Sequence, residues 1–234
     1  MESILTQAVQ AYTLGFEQAV DDAGESNLKV TGRKTKAKPN AHDRDYYLAE
    51  GPRWLEAYLA FRRKNYNFQL FQFDDGTPAV EIAFQVPIPG SSAQLRGFID
   101  RVFVDTDTGE LVVCDLKTGE RDQLSSLQLA VYAYGLSKQF GLEVTKGVYY
   151  SAPSGKFSDT FDLRQFPHEY VERMVREAYN RVAHDHLLPL PQFTCQWCSV
   201  KDFCYLWNPA LERPNFTSDL TQPQESGSSG SLDY

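Results

Sequence analysis

The stretch "GFIDRVFVDTDTGELVVCDLKTG", residues 97–119, contains two runs in which apolar and polar residues alternate, joined by a short polar segment. Alternation with a period of two is typical of strands with one buried face, and Asp-Thr-Gly at residues 107–109 is a turn signal. Charged residues nevertheless occur within the two strands, at Asp100, Asp115 and Lys117. The sequence therefore predicts a hairpin whose neighbouring strands carry two carboxylates and one ammonium.

These three charges are expected to converge on one face. Side chains at i and i+2 of a strand share a face, so Asp115 and Lys117 project together, while Cys114 and Leu116 point the other way. The hairpin brings Asp100 toward the same face from the partner strand. Buried carboxylates are costly unless they are paired or bound to a cation, so the cluster either holds a metal ion or forms an internal salt bridge. Both readings remain open at this point.

A helical pattern follows the second strand, at residues 125–140, and Gly141 is a suitable C-terminal cap. Gln128 and Tyr132 are four residues apart on this helix, so both side chains can reach toward one cleft. Thr118 and Gly119 come directly after the lysine, as expected for a strand that ends at an open site.

The rest of the chain adds helices before this region and mixed elements after it. An amphipathic helix is predicted over residues 3–22, and a second helical pattern from Asp43 stops at "EGP" and resumes after Pro52. Two strands flanking "DDGTP" extend the hairpin to an antiparallel meander of about four strands. The predicted organisation is a helical region with a basic loop, a core, a cysteine segment and a disordered tail, at residues 1–66, 67–190, 191–208 and 209–234.

Bulk properties favour a globular protein of the cytoplasm. The chain has 234 residues and a formal charge of −8, with a mean hydropathy of −0.43. It contains no apolar run of about 18 residues and no signal-peptide pattern. The acidic balance argues against a nucleic-acid binder, because Lys and Arg supply phosphate contacts. The segment at residues 29–38 is the exception, with cations at Lys29, Arg33, Lys34, Lys36 and Lys38. It is either a solvated loop or a nucleic-acid-binding patch.

Three of the four cysteines, Cys195, Cys198 and Cys204, lie close together near the C-terminus. Two thiolates separated by two residues can share one metal centre, and a third nearby strengthens the prediction of a metal site over that of inert core residues. A closed site needs a fourth ligand. The remaining cysteine, Cys114, is predicted to lie in the core.

The motifs "GFIDRV", "VVCDLKTG" and "LQLAVYAY" resemble, in order and spacing, those of the PD-(D/E)xK nuclease superfamily, in particular its RecB-like exonuclease branch. That branch includes CRISPR-associated and phage recombination exonucleases. The resemblance covers roughly residues 79–204. It implies an α/β fold with a mixed central sheet flanked by helices, a restriction-endonuclease-like core followed by the Cys-rich segment.

The resemblance also implies a chemistry. Asp100, Asp115 and the Leu116 carbonyl would bind Mg²⁺ or Mn²⁺, and Glu81 is either a further ligand or an exposed strand residue. Lys117 would orient the attacking water or stabilise phosphate oxygens, with Gln128 and Tyr132 positioning the lysine or the DNA. The upstream helix lacks the family's histidine, which puts a two-metal mechanism in doubt.

In the same branch, three C-terminal cysteines join a fourth near the N-terminus to hold a [4Fe-4S] cluster. No such cysteine precedes Cys114 here, so an iron-sulfur cluster, Zn²⁺ and an empty remnant all stay open. The expected function is metal-dependent DNA hydrolysis, with exonuclease action, in phage or bacterial recombination or repair, together with recombination-protein partners. The rivals are an inactive nuclease scaffold that binds DNA as an adaptor, and a zinc-ribbon interaction module.

Overall fold

The structure is a computed structural model that describes residues 3–24, 43–119, 125–184, 192, 195, 198 and 200–207. The chain divides into two compact units, residues 1–175 and 176–234. The first unit contains the β-sheet and all of the described residues predicted for catalysis. The second contains the three C-terminal cysteines.

Within the described residues, seven strands form one mixed sheet, in which β4 and β5 are parallel and every other pair is antiparallel. The order is β1-β3-β4-β5-β6, with β2 also paired to β3 and β7 also paired to β5. The strands are β1 (Phe68–Leu70), β2 (Val80–Pro87), β3 (Gln94–Asp105), β4 (Leu111–Lys117), β5 (Lys146–Ser151), β6 (Lys156–Phe157) and β7 (Phe161–Asp162).

The parallel pair is connected by α3 (Leu127–Phe140), which crosses one face of the sheet. A parallel connection needs such a crossover, because a tight turn can join only antiparallel strands. Gly141 ends the helix in the left-handed conformation, at φ 67°; its N–H donates to the Ser137 carbonyl and the Leu142 N–H donates to the Leu136 carbonyl. This is the cap expected from the sequence.

The face under α3 carries the main hydrophobic core, which includes Ile99, Val113 and Leu129. The Phe84 side chain of β2 packs against α3. A Cβ added at Gly135 would lie 2.6 Å from its ring, and one added at Gly97 would lie 3.0 Å from it. The two glycines therefore let strand and helix approach on either side of one aromatic ring.

The opposite face packs against α2 (Arg44–Lys64), which in turn packs against α1 (Ile4–Ala23). Tyr58 and Phe61 of α2 contact the second core cluster, which contains Phe103, Cys114 and Tyr150. Adjacent residues of one strand, such as Val113 and Cys114, belong to the two different clusters, as a pleated strand between two helical layers requires. After β7 come a 3₁₀ turn (Leu163–Gln165), α4 (His168–Ala183) and a second 3₁₀ turn (Lys201–Phe203).

The predicted break at Pro52 is wrong, because α2 runs through it without interruption. A proline inside a helix removes the hydrogen bond to the carbonyl four residues earlier and crowds that turn. Close packing with α1 supports the turn. Tyr12 donates its hydroxyl to the Tyr47 carbonyl at 2.7 Å, and Gly51 lies directly against the Tyr12 ring.

The predicted meander is also only partly correct. The "DDGTP" turn closes as expected, with a single bridge between Gln72 and Pro78. Beyond it, β1 and β2 do not continue as a paired hairpin, because each pairs with a different part of β3. At twelve residues, β3 is long enough to hold both strands along one edge. Among the described helices, none is both long and apolar enough to cross a membrane.

Candidate active site

Asp115 is the buried centre of the site. It lies near the end of β4 on the face covered by α3, and 2% of its surface is exposed. Its Oδ1 accepts hydrogen bonds from Gln128 Nε2 at 2.7 Å and from the Tyr132 hydroxyl at 3.1 Å. Gln128 Nε2 also donates to the Tyr132 oxygen at 2.9 Å. The two α3 residues that the sequence identifies therefore fix one oxygen of this carboxylate.

Lys117 binds the other oxygen of the carboxylate. Its Nζ lies 2.6 Å from Asp115 Oδ2 and donates to Gln128 Oε1 at 2.8 Å. Oδ2 is buried, and within the described residues it accepts no well-angled hydrogen bond, so its contact with the ammonium is an ion pair only. About a quarter of the Lys117 side chain is exposed, at 24%. The lysine therefore links the buried acid to the surface.

Asp100 lies beside this cluster, in β3, the strand that pairs with β4. Arg101 pairs with Cys114, so the next step of the register puts Asp100 across from Asp115. Asp100 Oδ2 accepts the Leu116 backbone N–H at 2.7 Å. The hairpin thus brings the two carboxylates together, as the sequence predicts.

The carbonyl of Leu116 faces the same side as Asp100. The Lys117 carbonyl accepts a hydrogen bond from Ala152 N at 2.8 Å, so the backbone groups of Lys117 point toward β5. Backbone groups of successive strand residues point to opposite sides, and those of Leu116 therefore point toward β3. This orientation suits the predicted role of that carbonyl as a ligand.

Glu81 occupies an irregular position opposite Asp100. The pairs Val80–Arg101 and Ile82–Ile99 flank these two acids, and Glu81 has φ 51°. Here the residues that face the core change from odd-numbered to even-numbered ones. Ala79, which directly precedes β2, and Ile82 within β2 are both in the core. A left-handed conformation is costly for a non-glycine residue in a strand and often marks a functional site. The Glu81 side chain is exposed.

Burial raises the pKa of the Asp115 carboxyl, and the nearby charge of Asp100 raises it further, while Lys117 and Tyr132 lower it. Burial likewise raises the pKa of the Tyr132 phenol, so this hydroxyl remains a donor at neutral pH. The site thus has one ammonium for two carboxylates, and among the described residues Asp100 has no ion pair. A site with excess carboxylate oxygens and a carbonyl at its edge suits a hard divalent cation.

The donor set therefore fits Mg²⁺ or Mn²⁺, which Asp100, Asp115 and the Leu116 carbonyl would hold. Within the described part of the chain, no three His, Cys, Asp or Glu side chains come close enough to hold a metal. Glu81 thus does not complete a third carboxylate ligand in this geometry, and its predicted role as a ligand stays a prediction.

The C-terminal cysteines form a separate structural feature. Cys195, Cys198 and Cys204 are half-buried, and within the described part of the chain they form no disulfide bond. The Cys198 N–H donates to the Cys195 carbonyl at 3.2 Å, and the Gln192 N–H donates to the Cys195 side-chain Sγ at 3.3 Å, which together define a turn around the first pair. Cys114 is fully buried in the sheet core and burial raises its pKa to about 12. The three thiols stay a predicted metal site.

The cations predicted to contact nucleic acid, Arg33, Lys34, Lys36 and Lys38, lie outside the described residues. One residue that sequence reasoning missed is Tyr149 on β5, whose ring lies 5.3 Å from Lys117 Nζ. Parallel pairing sets it opposite Asp115. One sequence signal could have found it. A helix that follows a strand commonly leads back to a neighbouring parallel strand, so the strand after α3 is expected to pair with β4 and to place a residue beside Asp115.

Comparison with known proteins supports the predicted superfamily but not a particular branch of it. Gene 69 protein of Mycobacterium phage D29 is 32% identical over 136 residues, which is 56% of this chain and 49% of that protein. The chain therefore spans about half the length of this relative. The crystal structure of SSO0001 aligns at 15% identity and a TM-score of 0.39, over 70% of this chain and 73% of that one. The model of the PD-(D/E)XK nuclease superfamily matches residues 4–205, and the chain belongs to this superfamily.

Proposed function

We propose that the chain is a Mg²⁺- or Mn²⁺-dependent deoxyribonuclease. The observation that carries the proposal is the site with two adjacent carboxylates, Asp100 and Asp115, and the single ammonium of Lys117. In a member of a nuclease superfamily, this set supplies both a place for a divalent cation and a positive group for a phosphate.

The protein side chains would act mainly by positioning and electrostatics. Asp100, Asp115 and the Leu116 carbonyl would hold the cation, which when bound would acidify a water and offset negative charge on the phosphate. The Lys117 side chain is partly exposed, and its ammonium would donate to a phosphate oxygen or to the attacking water. Such a hydrogen bond stabilises the transition state most where the developing charge is partly shielded from solvent.

Gln128 and Tyr132 would keep the catalytic carboxylate in one orientation. Both donate to Asp115 Oδ1, which leaves Oδ2 directed toward Lys117. Gln128 also accepts from the lysine, so one amide sets the position of the acid and of the amine. Fixed groups of this kind lower the barrier because they do not reorganise during the reaction.

We further propose a RecB-like exonuclease that acts on DNA ends in phage or bacterial recombination or repair, with recombination proteins as partners. The order of motifs supports this branch, and the match to a phage protein supports the setting. Arg33, Lys34, Lys36 and Lys38 are proposed to contact the DNA backbone. A comparison of linear with closed circular DNA tests the exonuclease assignment, because an exonuclease leaves the circle intact.

The nuclease assignment is tested by two substitutions with matched controls. We expect Asp115→Asn and Lys117→Ala to lower the rate of Mg²⁺- or Mn²⁺-dependent DNA cleavage by at least roughly 10²-fold, because each removes a charged group from the reaction centre. Asp74→Asn and Lys156→Ala change exposed residues of the same types and should keep wild-type rates. Wild-type activity in both site variants would overturn the assignment.

An inactive scaffold that binds DNA as an adaptor is the second candidate. It is favoured by the lack of a three-carboxylate group among the described residues. This candidate predicts DNA binding without cleavage, unchanged by Mn²⁺ or EDTA. Cleavage that EDTA abolishes excludes it.

We also propose that Cys195, Cys198 and Cys204 bind a metal centre, either a [4Fe-4S] cluster or Zn²⁺. Elemental analysis of anaerobically purified protein separates the two, and absorbance near 400 nm is expected only with iron and sulfide. If the protein contained neither metal and all three thiols reacted with a thiol reagent, the cysteines would be the remnant of a metal site that no longer binds metal.

A further inference from the structure

Tyr149 occupies a position between the two elements that carry the candidate catalytic residues. It lies in β5, paired with Asp115 in the parallel register, and 4% of its surface is exposed. It belongs to the core cluster under α3, whereas the next residue, Tyr150, belongs to the cluster under α2. The two consecutive tyrosines thus face opposite sides of the sheet.

The Tyr149 side chain contacts both ends of the connection from β4 to α3. Its ring lies under the Lys117 ammonium, with 5.3 Å between Nζ and the ring centroid. Its hydroxyl donates to the Ser125 carbonyl at 2.8 Å. Ser125 directly precedes Ser126, the N-cap of α3, and Gln128 is in the first turn of that helix.

These contacts give one side chain two positioning roles. The negative face of an aromatic ring attracts an ammonium group, so the ring favours one location for Nζ beside Asp115. The hydroxyl fixes the start of α3 and therefore the amide that bonds both Asp115 and Lys117. The Tyr149 backbone is itself held, because its N–H donates to Ser158 Oγ at 3.0 Å.

We propose that Tyr149 is a positioning residue of the active site that holds Lys117 through its ring and Gln128 through its hydroxyl. The inference rests on the proposed nuclease function. The competing explanation is that Tyr149 is only a core aromatic residue, a role that its edge-on contact with Phe161 would also fit.

Tyr150 is a matched control. It is as deeply buried as Tyr149, at 3% exposure, and contacts Phe61 and Tyr58 on the opposite face. Among the described residues, its hydroxyl has no hydrogen-bond partner. Tyr150→Leu therefore reproduces the loss of a buried ring without touching Lys117 or Ser125.

Steady-state kinetics on a DNA substrate distinguish the two explanations. We expect Tyr149→Leu to lower kcat by roughly 10- to 100-fold with little change in KM, as for a misplaced catalytic group. Tyr149→Phe retains the ring and should recover most of that loss, while Tyr150→Leu should keep the wild-type kcat at temperatures where all variants are folded. Equal kcat in Tyr149→Leu and Tyr150→Leu would overturn the proposal.

A second measurement does not depend on activity. Reductive ¹³C-methylation of the lysines gives an NMR signal for Lys117, which Lys117→Arg identifies by its disappearance. We expect an upfield ring-current shift of this signal in wild type and Tyr149→Phe, and its loss in Tyr149→Leu. An unshifted wild-type signal would refute the contact even if the protein cleaves DNA. A shifted signal in a protein that does not cleave DNA would leave the contact standing and remove only the nuclease assignment.

Discussion

Asp115 combines deep burial with a charge that the fold does not fully compensate. Its neighbours are a second acid, Asp100, and one half-buried ammonium, and burial raises the pKa of the Asp115 carboxyl. A group of this kind lowers the stability of the metal-free protein at neutral pH, because ionisation is easier in the unfolded chain. We therefore expect that Asp115 serves the chemistry of the site and lowers the stability of the folded protein.

Removal of this charge should separate stability from activity. We expect Asp115→Asn, measured in EDTA at pH 7, to melt at the wild-type temperature or above it, while DNA cleavage is lost. The amide keeps the shape of the side chain and removes the buried charge. Thermal unfolding followed by circular dichroism checks this. A large fall in the melting temperature would mean that the Asp115–Lys117 ion pair is mainly structural.

Local sequence was sufficient to predict the residues that meet at the site, but not all of their support. Asp100, Asp115 and Lys117 stand out because charged residues interrupt short alternating strands, and a turn of known length brings the strands together. Tyr149 did not stand out, because its role depends on which strand β5 joins. That pairing is set by the crossover through α3, and the sequence of β5 carries no pattern that indicates which strand it joins.

The contact between β2 and α3 depends on the absence of two side chains. Gly135 and Gly97 lie on either side of the Phe84 ring, so neither the helix nor β3 leaves room for an added methyl group. Interiors are packed closely enough that one such group forces backbone shifts or strained rotamers. Since α3 also carries Gln128 and Tyr132, this packing fixes the distance from the helix to Asp115.

Gly135→Ala should therefore be destabilising despite the higher helix propensity of alanine. We expect a loss of about 1–3 kcal/mol in the free energy of unfolding, measured with urea. The control is Gly15→Ala in α1, where an added Cβ meets nothing within 4 Å and should be neutral or mildly stabilising. Phe84→Leu combined with Gly135→Ala should cost less than the sum of the single changes. Strict additivity would contradict the packing argument.

Features that depend on local sequence were predicted better than features that depend on distant partners. Gly141 ends α3 as expected because a C-cap is a local feature. The course of α2 through Pro52 and the separation of β1 from β2 were not predicted, because each is decided by a partner far along the chain. In the first case the partner is Tyr12 of α1, and in the second it is the long strand β3.

Buried phenols are distributed over both faces of the sheet and the α1–α2 contact. Burial raises the pKa of Tyr150 to about 12. It also raises the pKa of Tyr134, whose hydroxyl donates to Glu172, and that of Tyr12. In each case the phenol ionises more easily in the unfolded chain, where its pKa is near 10.0.

The whole molecule should consequently lose stability in alkaline solution. The contribution of these phenols is complete below pH 10 and disappears as the pH rises from about 10 to about 12. We expect urea midpoints to fall over that range. We also expect the share of phenolate absorbance at 295 nm that a Tyr150→Phe variant lacks to rise only on unfolding. If that share rose well below pH 12 in protein that remains folded, it would contradict the assignment of Tyr150 as buried.

The acids, the amine and the α3 side chains that meet around Asp115 all come from one uninterrupted part of the polypeptide, between Asp100 and Tyr132, and Tyr149 follows on the next strand. Short separations along the chain reduce the entropy that must be lost to bring reacting groups together. The candidate active site is therefore a transferable unit. Exchange of the flanking helices between related genes, or relocation of the chain ends to the "DDGTP" turn, would carry the complete centre along with it.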